Sequence, residues 1–228
     1  MSAEAFHKHE PDALGDKLVG DAQMAVGDVD RAIDAYKTGY AKSASAELAL
    51  RLKKAYDRKG NPEAGIAALK KWLDKNPEDY ATGVILASAE LKQGKLKDSA
   101  KTFEALYAEN RNDPVVLNNL AWIYHQEGDE RALGMATKAY AADKNSAQIL
   151  DTLGWISLTS ANPQDGLDYL RMAAAFAPRS TQIRYHLAVA LAKNGRTTEA
   201  KSVLDEMLAS RGTFPELADA RKLRSTLN

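Results

Sequence analysis

The chain contains no cysteine. That excludes a disulfide framework, an iron–sulfur cluster and a thiol nucleophile, and it leaves the redox compartment open. There is no surplus of charge either: 31 Lys+Arg stand against 31 Asp+Glu, for a formal charge of zero. A general nucleic-acid binder normally carries a basic excess to displace counterions from phosphates, so no nucleic-acid partner is expected. Aromatic residues make up only 7%. No apolar run approaches the ~18 residues that span a bilayer, so membrane insertion is not expected. The opening stretch MSAEAFHKHEPDAL has no apolar h-region and does not read as a signal peptide. The chain is expected to be soluble.

Enzyme signatures are also missing. No two glycines are spaced as GxG, and neither a P-loop nor a GxSxG occurs. His9-Glu10 runs into Pro11 and has no second histidine at the HExxH spacing. His7 and His9 alternate in a segment expected to fray, which is weak support for a metal site. Carboxylates are plentiful, but they fall on solvated helix faces and define no acid–base pair. No catalytic residue, metal site or cofactor is expected.

What the chain does contain is periodicity. Its 228 residues are 45% hydrophobic, enough for a sizeable core in one or two domains. Gly27, Gly60, Gly94, Gly128 and Gly195 recur, with Ala161 in the one gap, at spacings of 33, 34, 34, 33 and 34. Eight residues before each lies an aliphatic side chain: Val19, Leu52, Leu86, Leu120, Leu153 and Leu187. Five residues after comes a small one: Ala32, Gly65, Ser99, Gly166 and Ala200, with Ala132 one residue early. Two antiparallel helices that cross closely need small residues at the crossing, and the turn between them needs glycine for its backbone angles.

This pattern resembles the tetratricopeptide repeat over nearly the whole chain. The clearest copy is LDTLGWISLTSANPQDGLDYLRMAAAFAP, residues 150–178, with Leu150, Leu153, Gly154, Gly166, Leu170, Ala173 and Pro178 at the consensus places. Lys53 departs from the small-residue rule, and Pro77 and Pro178 are the only terminal prolines. The resemblance implies an all-α, right-handed superhelical solenoid of six helix pairs plus a C-terminal capping helix. The copies run over about 13–45, 46–79, 80–113, 114–146, 147–180 and 181–212, after a flexible segment at 1–12. The capping helix occupies 213–228, with Thr213 as its cap, Pro215 in its first turn, and Leu217, Ala220, Leu223 and Leu227 facing inward. The front opens directly as a repeat helix without a cap, so the chain is expected to be a piece of a longer array.

In LNNLAWIYHQEG, residues 117–128, one stripe is Leu117, Leu120, Ala121 and Tyr124, the spacing of a core-facing helix. A second stripe is Asn118, Trp122 and His125, flanked by Asn119 and Gln126. In the repeat it resembles, the first helix of each pair lines the concave surface. Trp122 and Trp155 share a column there, followed by Val189; the neighbouring columns hold Asn118 and Asn119, Asp151 and Thr152, then Tyr185 and His186. Aromatic platforms beside hydrogen-bonding groups suit a partner-binding groove. The plainer alternative is that the tryptophans pack between repeats and stiffen the array. Trp72 lies on a second helix, in a column usually filled by alanine, and is expected in the core. A basic strip of Arg51, Lys54, Arg58 and Lys92, interspersed with Glu47 and Asp57, reads equally as a solvated face or as a site for acidic ligands.

The order of copies is narrower still. DKLVGDAQMAVGDVDRAIDAY, LNNLAWIYHQEGDERALGMATKAY, LDTLGWI and IRYHLAVALAKNGRTTEAKSVLDEML are similar to the C-terminal repeats of the TPR-repeat lipoproteins of the bacterial PEP-CTERM/exosortase system. Members are longer and carry a lipidated N-terminal cysteine that this chain lacks. The resemblance implies a place in the bacterial cell envelope or periplasm and a link to exopolysaccharide production. Two functions follow: a scaffold holding a protein or peptide partner, or a carbohydrate-binding module that uses Trp122, Trp155 and Tyr185 as sugar platforms. The first is favoured because the repeat does it most often.

Overall fold

The computed structural model describes residues 13–160, 162–209 and 213–227. His7, His9 and Ala161 lie outside them. The chain divides into two compact units, up to Leu106 and from Tyr107. Among the described residues, all regular structure is helical.

The first unit holds α1 (Ala13–Val26), α2 (Val29–Lys42), α3 (Ala46–Arg58), α4 (Pro62–Leu73) and α5 (Tyr80–Lys92), and the division falls inside α6 (Leu96–Glu109). Sequence signals set these boundaries. The side chains of Asp28, Ser45, Asn61 and Asp79 accept from the backbone N–H groups of Arg31, Leu48, Ala64 and Thr82, which satisfies orphan donors of the first turns. Gly27, Gly60 and Gly94 end the first helices with φ of 89°, 78° and 71°, a region that costs a side chain about 1 kcal/mol or more. The core is built on Ile33, Tyr36, Leu48, Leu52, Ile66, Leu69 and Leu86, with Ala32, Ala49 and Ala55 between them. Each fully buried large side chain contributes roughly 1.5–3 kcal/mol before entropy is charged against it.

At the α3–α4 crossing, a Cβ on Gly65 would lie 3.2 Å from the Lys53 backbone. This accounts for the lysine in the small-residue column. Glycine opposite makes the room, and the Lys53 stem runs along its own helix to an ion pair with Asp57 at 2.6 Å. At the next crossing, the Ser99 hydroxyl donates to Ala87 O at 2.8 Å. Trp72 is half-buried against the core rather than fully inside it. Its indole Nε1 donates to Asp79 Oδ2 at 2.7 Å, tying α4 to the cap of α5. Val19, the first member of the aliphatic column, is 53% exposed, and Leu14, Leu18 and Val26 on the same helix are exposed as well.

The second unit contains α7 (Pro114–Glu127), α8 (Arg131–Ala142), α9 (Ala147–Thr159), α10 (Pro163–Phe176), α11 (Thr181–Lys193), α12 (Thr197–Ala209) and α13 (Leu217–Thr226). Each first helix packs on its second, α7 on α8, α9 on α10, α11 on α12, and the first helices α7, α9 and α11 also touch in turn. The closest crossing is α9 with α10. A Cβ on Gly166 would lie 2.7 Å from Leu158 N, and one on Gly154 would lie 2.7 Å from Leu170 Cγ. Gly128 and Gly195 close their helices at φ 71° and 73°. Where Ala132 comes one residue early after Gly128, α8 has Glu130 at its N-cap without a side-chain cap bond, and the neighbouring Asp129 Oδ1 accepts the Arg131 N–H at 2.9 Å.

The C-terminal helix departs from its expected start. Thr213 and Pro215 precede α13, and Glu216 occupies the N-cap position without a side-chain bond. Phe214 instead packs inward with Leu223 and Leu227 against Ala188, Leu204, Met207 and Ala220. The apolar contact of Phe214 fixes how the chain enters the helix, so the threonine three residues earlier is too far upstream to cap it.

Candidate binding groove on the second unit

The first stripe of α7 is core: Leu117, Leu120, Ala121 and Tyr124 are all buried. Asn118 and Trp122 of its second stripe, but not His125, line a cavity of about 350 Å³ that runs across α7, α9 and α11. Asn118, Asn119 and Trp122 form one wall, Asp151 and Thr152 the middle, and Gln182 the far side. The Asn119 amide donates to Val115 O at 2.8 Å, which fixes its rotamer. Asn118 Oδ1 is buried and accepts no hydrogen bond. An amide acceptor in that state costs roughly 1–3 kcal/mol until something donates to it.

Behind the middle of the groove lies a polar cluster that joins two repeats. Asp151 and His186 are buried, and His186 Nδ1 is 2.8 Å from Asp151 Oδ1. The Trp155 ring stacks on His186 at 4.1 Å between centroids, with 30° between planes. Trp155 also packs on the core of Leu158, Leu167, Leu170 and Leu191. Sharing a column, the two tryptophans therefore have different surroundings: Trp122 borders the cavity, and Trp155 packs between repeats. Tyr185 packs beneath α13 against Ala188, Leu204 and Met207. Burial pushes its phenol pKa up, and the carboxylates of Asp219 and Glu216 push it further. His125 is half-buried beside Trp122, 6.0 Å between ring centroids, and burial lowers its pKa.

The groove also contains residues that the stripe did not single out. Ser146 and Ser180, the N-caps of α9 and α11, line it together with Asp143 and Gln148. Val115, Gln148 and Gln182 occupy one column, 33 and 34 residues apart. Extending the repeat ruler four residues towards the N-terminus would have found them.

On the first unit, Arg51 is the cation of the basic strip that pairs with carboxylates. Arg51, Lys54 and Arg58 line a cavity of about 290 Å³ with Asp21, Met24 and Tyr36. Arg51 Nε lies 3.0 Å from Asp21 Oδ1, out of line for a hydrogen bond but close enough for an ion pair. A second Arg51 nitrogen is 3.3 Å from Glu47. Arg58 donates to Met24 O at 2.8 Å, closing off α1. Lys54 is exposed. Lys92 lines a different cavity from the other three, with Lys53 and Asp57.

Antiparallel helix pairs joined by left-handed glycine turns define a helical-repeat scaffold. The tetratricopeptide repeat family model matches residues 19–81, 85–148 and 152–213, well over half of the sequence. The chain belongs to that family, and its fold is the all-α tetratricopeptide-repeat superhelix. No curated protein matches the sequence.

Several solved structures share the fold. The Cut9–Hcn1 hetero-tetramer of the APC/C superposes with a TM-score of 0.76 at 15% identity, over 97% of this chain and 44% of that one. The present chain thus spans under half the length of that relative. A thermophilic TPR protein of Thermus thermophilus gives 0.63 at 20% identity, over 80% and 98% of the two chains. YrrB, a TPR protein with an unusual peptide-binding site, gives 0.60 at 18%, over 79% and 94%. The fold is typical of protein–protein interaction scaffolds. No helix of the described residues is long and apolar enough to cross a membrane.

Proposed function

We propose that the chain is a non-enzymatic scaffold that holds a protein or peptide partner in the groove across α7, α9 and α11. The observation that carries this is Trp122 with Asn118, whose Oδ1 accepts no hydrogen bond, at the edge of a cavity lined by first helices of three successive repeats. Half-buried tryptophan next to hydrogen-bonding groups is the composition of an interface anchor. The peptide-binding site of YrrB, on the same fold, supports the reading.

The setting we propose is the bacterial exopolysaccharide and protein-sorting machinery of the cell envelope, on the strength of the sequence resemblance to the PEP-CTERM lipoproteins. Binding of exopolysaccharide itself is the second reading, favoured by the polar lining. Of its three sugar platforms, Trp122 lines the cavity, whereas Trp155 is stacked on His186 and Tyr185 lies beneath α13. Protein binding therefore has the better support.

The test is capture from envelope extract of the source bacterium on immobilised wild-type chain and on Trp122→Ala with Asn118→Ala, beside a glycan array. Retained proteins should fall by roughly 30-fold on the variant, since an anchoring aromatic contributes ~2 kcal/mol. Equal retention would remove the groove from the function. A glycan signal that disappears with Trp122 would establish the carbohydrate reading instead.

A further inference from the structure

The groove contains carboxylates and no cation. Asp143 and Asp151 line it, and neither a lysine nor an arginine does. Asp151 gives one oxygen to His186. Asp143 Oδ1 accepts the backbone N–H of Asn145 at 3.0 Å, and no described cation pairs with that carboxylate. The N-termini of α9 and α11 bring about half a positive charge each, but the Ser146 and Ser180 hydroxyls already cap them. The Asp143 carboxylate, which no described cation pairs with, outweighs those capped partial charges, and the Asp151 oxygen that His186 does not take adds to it.

An acidic ligand would therefore meet repulsion here, where nothing compensates its charge. A cation would meet three favourable features. The indole of Trp122 offers a ring face, which attracts ammonium and guanidinium groups. Val115, 48% exposed at the rim, offers apolar surface to a long aliphatic stem. The buried Oδ1 of Asn118 is an acceptor without a donor, an observation independent of the carboxylates.

We propose that the groove selects a partner segment carrying a lysine or arginine, whose charged head meets Asp143 and Asp151 beside Trp122. The proposal rests on the groove reading above and names the chemistry of its ligand. It also separates the groove from acidic polysaccharide.

Panning a phage-displayed library of random dodecapeptides on the whole immobilised chain tests both levels. Retained sequences should be enriched in Lys and Arg over Asp and Glu. Selected clones should lose roughly tenfold in affinity on Asp143→Asn and on Trp122→Ala, with the fold of each variant checked by circular dichroism. Acidic or uncharged sequences that still require Trp122 would overturn the charge selection and leave the groove. Sequences indifferent to Trp122→Ala, or no enrichment at all, would overturn both.

Discussion

Trp122 and Trp155 occupy equivalent positions of successive repeats, and the residues that follow them decide their different roles. Trp155 has His186 from the next first helix against its face and leucines of α9, α10 and α11 around it. Trp122 faces the cavity at the corresponding place. Truncating Trp155 should leave a void and deprive His186 of its stacking partner, at a cost of roughly 2–4 kcal/mol. Truncating Trp122 should cost about 1 kcal/mol or less, because little enclosed volume is lost. Urea unfolding of the two single variants measures both. Equal large losses would mean that Trp122 also holds repeats together. The Asp151–His186 contact, which places that cluster, joins residues 35 apart in sequence and has no local signature. Periodicity put both residues on one face but could not show that they would bury each other.

At the scale of the helix pair, glycines with similar sequence surroundings have opposite consequences. Gly166 lies where α9 and α10 touch, and an added Cβ would meet Leu158 N at 2.7 Å and Gly154 O at 2.8 Å. Backbone cannot yield as a flexible side chain does, so Gly166→Ala should force the helices apart and destabilise by about 1–3 kcal/mol. Gly134, inside α8, has nothing within 4 Å of that position. Gly134→Ala should stabilise by about 0.5–1 kcal/mol through helix propensity alone. Thermal unfolding of the pair reads the two signs, and a shared sign would refute the argument. Gly166 was legible in the sequence as a member of the small-residue column, as were the turn glycines with their positive φ. The exposure of Val19 was not, because a column records which face a residue is on and not whether a neighbour covers it. Thr213 failed as a cap for a related reason: capping propensity is local, whereas the packing of Phe214 that delays α13 is tertiary.

At the scale of the molecule, a repeat protein distributes its stability over nearest-neighbour interfaces rather than one centre. In the second unit, the last such interface is the seat of α13 on Ala188, Leu204 and Met207, reinforced by Arg224 Nε 2.7 Å from Asp205 Oδ1. Ending the chain at residue 212 would expose Leu204 and Met207, which are fully or nearly fully buried with α13 in place. Native-state hydrogen exchange of the shortened chain should show the amides of α11 and α12 losing roughly tenfold or more of their protection. The amides of α7 and α8, two helix pairs away, should change by less than about twofold, because they share no contact with the removed helix. The α7 and α9 walls of the groove around Trp122 would then survive the truncation, while its α11 side, with Gln182, would loosen. If protection instead fell by the same factor from α7 to α12, the unit would be opening as one cooperative block. Its stability could then not be divided pair by pair, and α13 would support the groove from a distance.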